Sequence, residues 1–550
     1  MAKKKKKSRK SRPKAAFRPK RTAQAKGASP IALCMIVKNE EKFLPGCLES
    51  VQGLVGEIVV VDTGSSDATR EIATKMGARL YEYEWQDDFA AARNFALEKC
   101  RSPWVLYLDA DERLHPEYHE MVLNAVRQDK ADAFYLKVYS PVSGVLGNVP
   151  HIQAYPRLFK KLPGARFEGR IHEQISPSLK RLNARMEYID AMIEHLGYCQ
   201  EDDILKMKIK RNLKMLAAQI EKEPNNAYAY FQLGQTLLLD DQKEKGIEAL
   251  QKALSFNILP NNLTATTLLM MANEYFEAEE YDRALEEIRK ALELAPRQRL
   301  GYFLKSECLA RKHDWEGALE NLIKLNEYSD IPFSDISIEK TFEPYIVYQR
   351  WGLYAFNLKE YGLAFEKFTK YLQTAPEWRS GLFEKWSYAW QQSGGDPAKA
   401  AEVLKLFNGE LDKFDDPASA ARLSAGVAEL MGDLSLMRDF VEQWLALDPE
   451  NAQAHFYWGN LATEAGDLKT AEAEFRKALE LGSDVWEVHY NLVVNLAKQK
   501  RYLEAAELLA RALEVFPEKQ ESNQRLLAGL YGKAGQIEKM LELVNLKVEK

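Results

Sequence analysis

Short apolar runs and amphipathic stretches alternate along residues 31 to about 140. "IALCMIV", "GEIVVVD", "ARLYEYE" and "WVLYLDA" read as strands. "EEKFLPGCLESVQGL", "SSDATREIATKMG" and a stretch around "DFAAARNFALEKC" read as helices. The strands are too rich in Val and Ile for a sheet with one wet face, so helices are expected on both sides. This alternation predicts an α/β domain with a mostly parallel sheet. In such sheets ligands bind outside the carboxyl ends of the strands. From about residue 204 the strand pattern stops and a helical pattern recurs. Ala284 and Ala318, Ala471 and Ala505, and Ala478 and Ala512 each stand 34 residues apart. That period predicts a solenoid of helical hairpins.

Two strand ends carry acids. "IVVVDTGSSDAT" places Asp62 at one, and "VLYLDADERL" places Asp109 and Asp111 at the other. Taken singly, each has a plain reading: a strand-to-helix turn capped by Ser66 or Asp67, and a solvated loop. Taken together, three carboxylates at one sheet edge repel unless a cation or hydrogen-bond donors neutralise them. Carboxylate oxygens suit Mg²⁺ or Mn²⁺, which bind through one or two acids plus substrate phosphates. A nucleotide diphosphate completes such a site. The chain has no G-x-x-x-x-G-K-[ST] and no G-x-G-x-x-G, so P-loop and dinucleotide readings lack support.

The segments "IALCMIVKNEEKFLPGCLESV", "GEIVVVDTGSSDATREIA", "DFAAARNFAL" and "VLYLDADERL", in that order, resemble family-2 glycosyltransferases of the GT-A fold. The resemblance runs from residue 31 to about 115. It implies binding of a nucleotide-activated sugar, usually a UDP-sugar, with a divalent cation, and an inverting transfer. By the same resemblance Val37, Asn39 and Glu40 lie beside the nucleotide and Asp62 recognises the base. Arg93 faces the base or the phosphates. Asp109 faces the ribose or the metal, and Asp111 sits on the metal. Sugar transfer also needs a base for the acceptor. The family's usual E-D motif is not evident, and "FEGRIHEQI" with "IEHLGY" offers Glu168, His172, Glu173 and His195 instead. Glu173 is the favoured base and His195 a third metal ligand, with His172 able to exchange roles with either. Against this stands the reading of each histidine as a satisfied core residue in an apolar strand. Of the Q-x-x-R-W motif of processive members only "QRW" appears, at 349–351, which argues against processive synthesis.

In "LLMMANEYFEAEEYDRALEEIRKALELAP", Ala272, Tyr275, Ala284, Ile288, Ala291 and Pro296 fall at the positions of a tetratricopeptide repeat, or TPR. "FYWGNLATEAGDLKTAEAEFRKALELG" and "QRWGLYAFNLKEYGLAFEKFTKYLQTAP" repeat the pattern. The resemblance covers about 225 to 550, with degenerate units near 325–345 and 395–450. The expected domains are a basic tail at 1–29, a GT-A domain at 30–203, a linker helix at 204–225 and an all-α TPR solenoid at 226–550. This joined architecture resembles bacterial peptide and protein glycosyltransferases of the sublancin S-glycosyltransferase type.

Composition narrows the setting. Of 550 residues, 46% are hydrophobic and 29% charged, the balance of a soluble globular chain. No apolar stretch approaches the roughly 20 residues a membrane span needs. The first 30 residues hold 13 Lys and Arg and no acid, which leaves 63 basic against 81 acidic side chains elsewhere. The tail reads as a solvated basic arm, or as one that touches anionic lipid or nucleic acid. No apolar segment of a signal peptide follows it. Five scattered cysteines, at 34, 47, 100, 199 and 308, form no C-x-x-C and point to reduced thiols in a cytoplasm. The leading reading is a metal-dependent enzyme that moves a single sugar to a peptide or protein held by the repeats. The alternatives are transfer to a cell-envelope glycan or lipid-linked acceptor, and a repeat scaffold with an inactive sugar-nucleotide domain.

Overall fold

A computed structural model describes residues 29–140, 151–196, 202–328, 338–340 and 343–545. Most of the basic tail and Cys199 lie outside the described residues. The chain divides into two compact units, one running to Leu263 and taking in Phe333–Glu339, the other comprising Thr264–Pro332 and Lys340 onward.

In the first unit, β1 (Ile31–Val37), β2 (Glu57–Asp62), β3 (Arg79–Glu82) and β4 (Trp104–Tyr107) form a parallel block. The helices α1 (Leu44–Ser50), α2 (Thr69–Lys75) and α3 (Phe89–Lys99) connect them. After β4 come β5 (Glu112–Leu114), α4 (His119–Gln128), β6 (Ala133–Ser140), β7 (His151–Lys160), α5 (Ser176–Arg181) and β8 (Met186–His195). The sheet order is β3-β2-β1-β4-β7-β6-β8-β5, with a three-residue strand at Ile338–Lys340 pairing with β7 off this path.

The sheet is the expected α/β one, parallel through β1–β4 and mixed in its later pairings. β4–β7, β6–β7 and β5–β8 are antiparallel, and β6–β8 is parallel. Residues 31–107 alternate strand and helix, and each helix carries the chain back to start a parallel neighbour. Beyond β4 the helical returns become rare, so strands pair as they arrive. Along β1, Ile31, Leu33 and Met35 enter one apolar layer with Leu44, Leu48 and Val122, while Ala32 and Cys34 enter another with Val59, Leu97 and Phe159. The sheet is thus buried on both faces, as the Val and Ile content requires.

Three further helices complete this unit: α6 (Asp202–Lys222), α7 (Ala227–Leu239) and α8 (Lys243–Ser255). α7 and α8 form a hairpin whose small residues set the approach. A Cβ at Gly234 would lie 2.6 Å from Leu250, and one at Gly246 would lie 2.7 Å from Leu238.

The second unit is built of the same kind of hairpin. Gly352 faces the fully buried Phe368, and Gly459 faces the fully buried Phe475. The expected degeneracy near 395–450 appears as an irregular connection, Asn408–Asp416, whose Phe414 bridges to Trp378. Much of 325–345 lies outside the described residues. No helix among the described residues is long and apolar enough to cross a membrane.

Candidate functional site

The parallel block brings the acids together by register. Val37, the last residue of β1, stands opposite Asp62, the last residue of β2. On the other flank of β1, β4 ends at Tyr107, two residues before Asp109.

Beyond β2 the turn 63–69 is knitted to the segment after β1. Asp62 Oδ1 accepts from the Gly64 and Ser65 N–H groups at 3.1 and 3.0 Å. The Asn39 N–H donates to Ser65 Oγ at 2.9 Å, and the Glu40 N–H to Thr69 Oγ1 at 2.7 Å. Asn39 Oδ1 in turn accepts from the Ser66 N–H at 2.8 Å. Asn39 takes a left-handed φ of 56°, a conformation Asn tolerates better than most residues. Asp67 rather than Ser66 supplies the turn's capping acceptor, taking the Thr69 N–H at 3.0 Å. Asp62 is 2% exposed, and its Oδ2 has no hydrogen-bond partner. A buried carboxylate oxygen without a donor is costly unless something else supplies one. Val37 is buried, and its carbonyl accepts from the Thr63 N–H at 3.0 Å and the Thr63 hydroxyl at 3.1 Å.

The other acids are held by arginines. Arg93 Nη2 donates to Asp109 Oδ1 at 2.6 Å, and Arg93 Nε donates to Glu173 Oε1. The guanidinium lies over the rings of Tyr107 and Phe167 at 5.3 and 5.8 Å. Arg93 sits one turn into α3, whose start is capped by Asp88 Oδ1 accepting from the Ala91 N–H at 2.9 Å. Desolvation opposes ionisation of Asp109, but Arg93 and then Arg157 outweigh it and hold the carboxyl well below the usual range. Glu112, third acid of the "DADE" run, is spent on structure. Its Oε1 accepts from Arg157 Nη2 at 2.6 Å and its Oε2 from the Asp109 N–H at 2.9 Å.

Asp111 meets His195 through the β5–β8 pairing. Glu112 stands opposite His195, and the Leu196 N–H donates to the Asp111 carbonyl at 2.9 Å. The Asp111 Oδ2 and His195 Nε2 atoms are 3.6 Å apart. His195 Nδ1 is 3.2 Å from Ser140 Oγ. Burial would lower the His195 imidazole, but Asp111, then Glu112 and Asp109, raise it above its ordinary value. Burial and then the charge of Asp111 push Glu40 up to about 7, with Lys208 opposing. The edge therefore carries an excess of negative potential.

Among the described residues no group of three His, Cys, Asp or Glu side chains is gathered as a closed metal cluster. The donor set nevertheless fits a divalent cation of the Mg²⁺ or Mn²⁺ kind. Asp111 and His195 converge, Asp109 stands close in sequence, and the excess negative charge calls for a cation. Such an ion keeps several positions for substrate oxygens.

"FEGRIHEQI" does not form the apolar strand that the rival reading of His172 requires. It is an irregular loop closed by reciprocal 2.9 Å backbone bonds between Glu168 and Gln174. Gly169 at φ 94° and His172 at φ 53° break any extended run. α3 holds the loop at three points. Phe89 N–H donates to the Arg170 carbonyl at 2.8 Å, Asn94 makes reciprocal bonds with the Phe167 backbone at 3.0 and 2.8 Å, and Arg93 takes Glu173. His172 combines a strained backbone with a buried Nε2 that lacks a partner, and burial followed by the charge of Arg211 lowers its imidazole to about 4. It is not a satisfied core histidine. A left-handed backbone and an orphan buried polar atom each call for an explanation. Glu168 faces away into Arg166 and Arg181. Arg157, Asn94 and Ser140 were not singled out from sequence. "YPRLF" carried no signal, because a buried arginine shows only when its carboxylate partner is known.

The glycosyl transferase family 2 model matches residues 32–187. Tetratricopeptide repeat models match 227–257, 269–323, 434–485 and 458–520. A TPR repeat-containing protein of Synechococcus elongatus is 34% identical over 230 residues, 41% of this chain and 55% of that protein. The SPbeta prophage-derived glycosyltransferase SunS of Bacillus subtilis is 28% identical over 281 residues, 48% of this chain and 64% of SunS. The lipopolysaccharide core biosynthesis glycosyltransferase LpsC of Rhizobium meliloti is 37% identical over 97 residues, 17% of this chain and 36% of LpsC. The chain thus spans between about half and two thirds of the length of the first two relatives. With acids at neighbouring ends of a mixed sheet and helical hairpins following along the chain, this chain carries a GT-A-like glycosyltransferase family 2 domain followed by tetratricopeptide repeats.

Proposed function

We propose that the chain is a metal-dependent, inverting and non-processive glycosyltransferase that moves one sugar from a nucleotide-sugar, most simply a UDP-sugar, to a peptide or protein acceptor. The observation that carries this reading is the convergence of Asp62, Asp109 and the Asp111–His195 pair at adjoining strand ends. Asp62 Oδ2 is suited to accept an N–H of the nucleobase, which would answer its missing donor. The Asn39 and Glu40 segment, fastened to the 63–69 turn, walls the nucleotide. Mg²⁺ or Mn²⁺, held by Asp111 and His195 with Asp109 alongside, would supply positive charge to the diphosphate leaving group. Glu173 is the acceptor's base, and His172 beside it shapes the acceptor side. Arg93, which bridges Asp109 and Glu173, ties the donor half to the acceptor half.

The repeats supply the acceptor surface in this reading, since a sugar acceptor alone has no need of a solenoid. Similarity to SunS, a glycosyltransferase, and to a TPR repeat-containing protein supports the pairing of the two parts. Similarity to LpsC keeps a lipid-linked or envelope glycan as the second reading, but it covers only 97 residues. A cytoplasmic setting suits a nucleotide-sugar donor and the buried free thiols of Cys34, Cys47, Cys100 and Cys308.

The deciding experiment incubates the full chain with a panel of nucleotide sugars and Mn²⁺, with and without chelator, in the presence of peptide, protein or lipid-linked glycan acceptors. Metal-dependent release of nucleotide with sugar appearing on polypeptide supports the proposal. Sugar appearing only on the lipid-linked glycan replaces it with the second reading. No turnover of any donor favours the scaffold.

A further inference from the structure

The loop that carries Glu173 is gripped by α3 on one side and by helices outside the family 2 match on the other. Ile171 packs with Met215 and Leu216 of α6, joined by Trp85, Phe89 and Leu233 of α7. Arg211 of α6 lies over the Phe89 ring at 5.1 Å. From α7, Tyr228 Oη accepts from Gln174 Nε2 at 2.6 Å and from Gln232 Nε2 at 2.8 Å. Gln174 is the residue after Glu173, and its backbone closes the loop against Glu168. Two residues of positive φ inside the loop, Gly169 and His172, leave its conformation dependent on such outside contacts. All of these groups belong to the same compact unit.

We propose that Tyr228, on the first repeat helix, is a positioning residue: through Gln174 it fixes where Glu173 stands. The first repeat hairpin is then part of the catalytic unit rather than of the acceptor surface alone. A tyrosine suits the task, because its ring packs beside Phe231 at 6.0 Å while its hydroxyl gathers two amides. Burial keeps the phenol neutral, pushed up to about 12 with the two glutamines moderating the rise, so it serves as a hydrogen-bonding post and not as an acid or base. The role rests on the reading of Glu173 as the acceptor's base.

The test uses the full chain with Tyr228→Phe, which keeps the ring and removes the hydroxyl, and Gln174→Met, which removes the amide at similar length. Hydrogen exchange of residues 168–174 is followed alongside kcat and KM for the nucleotide-sugar. The expected result in both variants is faster exchange confined to this loop, about tenfold, with kcat down about tenfold and the donor KM unchanged. Unchanged exchange in both variants overturns the proposal whatever the activity does. So does a rise in donor KM at constant kcat, which would place Tyr228 on the donor side. If the wild type turns over no donor at all, the enzymatic reading fails separately, and the exchange data alone decide whether Tyr228 anchors the loop.

Discussion

Asp111 and His195 separate the cation from the rest of the site. Asp111→Ala is expected to abolish metal-dependent donor turnover, and chelator to do the same to the wild type. Full activity in excess chelator would remove the cation from the proposal. Glu173→Gln keeps shape and hydrogen bonding, so donor binding should persist while turnover falls by roughly 10²–10⁴-fold, the range for a general base. Normal turnover would move the assignment to another group. His172 yields a pH prediction. Its imidazole titrates near 4 in the fold against about 6.5 in the unfolded chain, so the unfolded chain binds the proton first. The stability from the neutral ring is complete above about pH 6.5 and declines as pH falls toward 4, by up to about 1.4 kcal/mol per pH unit. Denaturant titrations of the wild type and His172→Phe at pH 7.5 and 5 should show a smaller acid loss in the variant. Equal losses would mean that another group titrates. Asp62, Asp109 and Asp111 were legible as candidates because acids after an apolar run are conspicuous. Arg157 and Asn94 were not, because their partners are distant in sequence.

At the level of elements, short side chains set the distance between helices of a hairpin. Gly352 stands where a Cβ would meet Phe368 Cδ1 at 2.5 Å, and Phe368 is fully buried. Gly352→Ala gains about 1 kcal/mol of helix propensity but forces a packed ring to move, which typically costs about 1–3 kcal/mol. A net loss of up to about 2 kcal/mol is expected by chemical denaturation. A stabilised variant would show that the hairpin yields at no expense. β1, β2 and β4 were legible as short apolar runs, and α3 from its Ala-rich stretch between strands. β5 was not. Three residues, "ERL", have no periodicity to read, and they form a strand only because β8 offers an edge.

At the level of the whole molecule, charge and repeats carry the expectations. The tail is strongly basic and the remainder acidic, so removal of residues 1–28 should leave donor turnover unchanged while weakening retention on anionic vesicles or nucleic acid at low salt. Retention equal to the full chain would leave the tail as a solvated arm. Ending the chain after residue 257 should preserve metal-dependent donor hydrolysis and strongly reduce transfer to a polypeptide acceptor. Ending it after residue 225 should also lose hydrolysis, because Leu233 and Tyr228 no longer cover Ile171 and Gln174. Polypeptide transfer undiminished in the longer piece would take the acceptor away from the repeats.

Local pattern was enough for the parallel block, the helical repeat and the acids at two strand ends. Strand periodicity, a 34-residue period and an abrupt change from apolar to acidic are all written within a few dozen residues. Long-range pairing settled the remainder. Asp111 comes beside His195 because β5 joins β8 across some eighty residues, and Glu173 comes beside Asp109 because both bind Arg93. The loop around His172 carries Phe167, Ile171 and Ile175 four residues apart, a spacing that does not predict a closed loop. Its real shape follows from contacts with α3, α6 and α7, which no local pattern encodes.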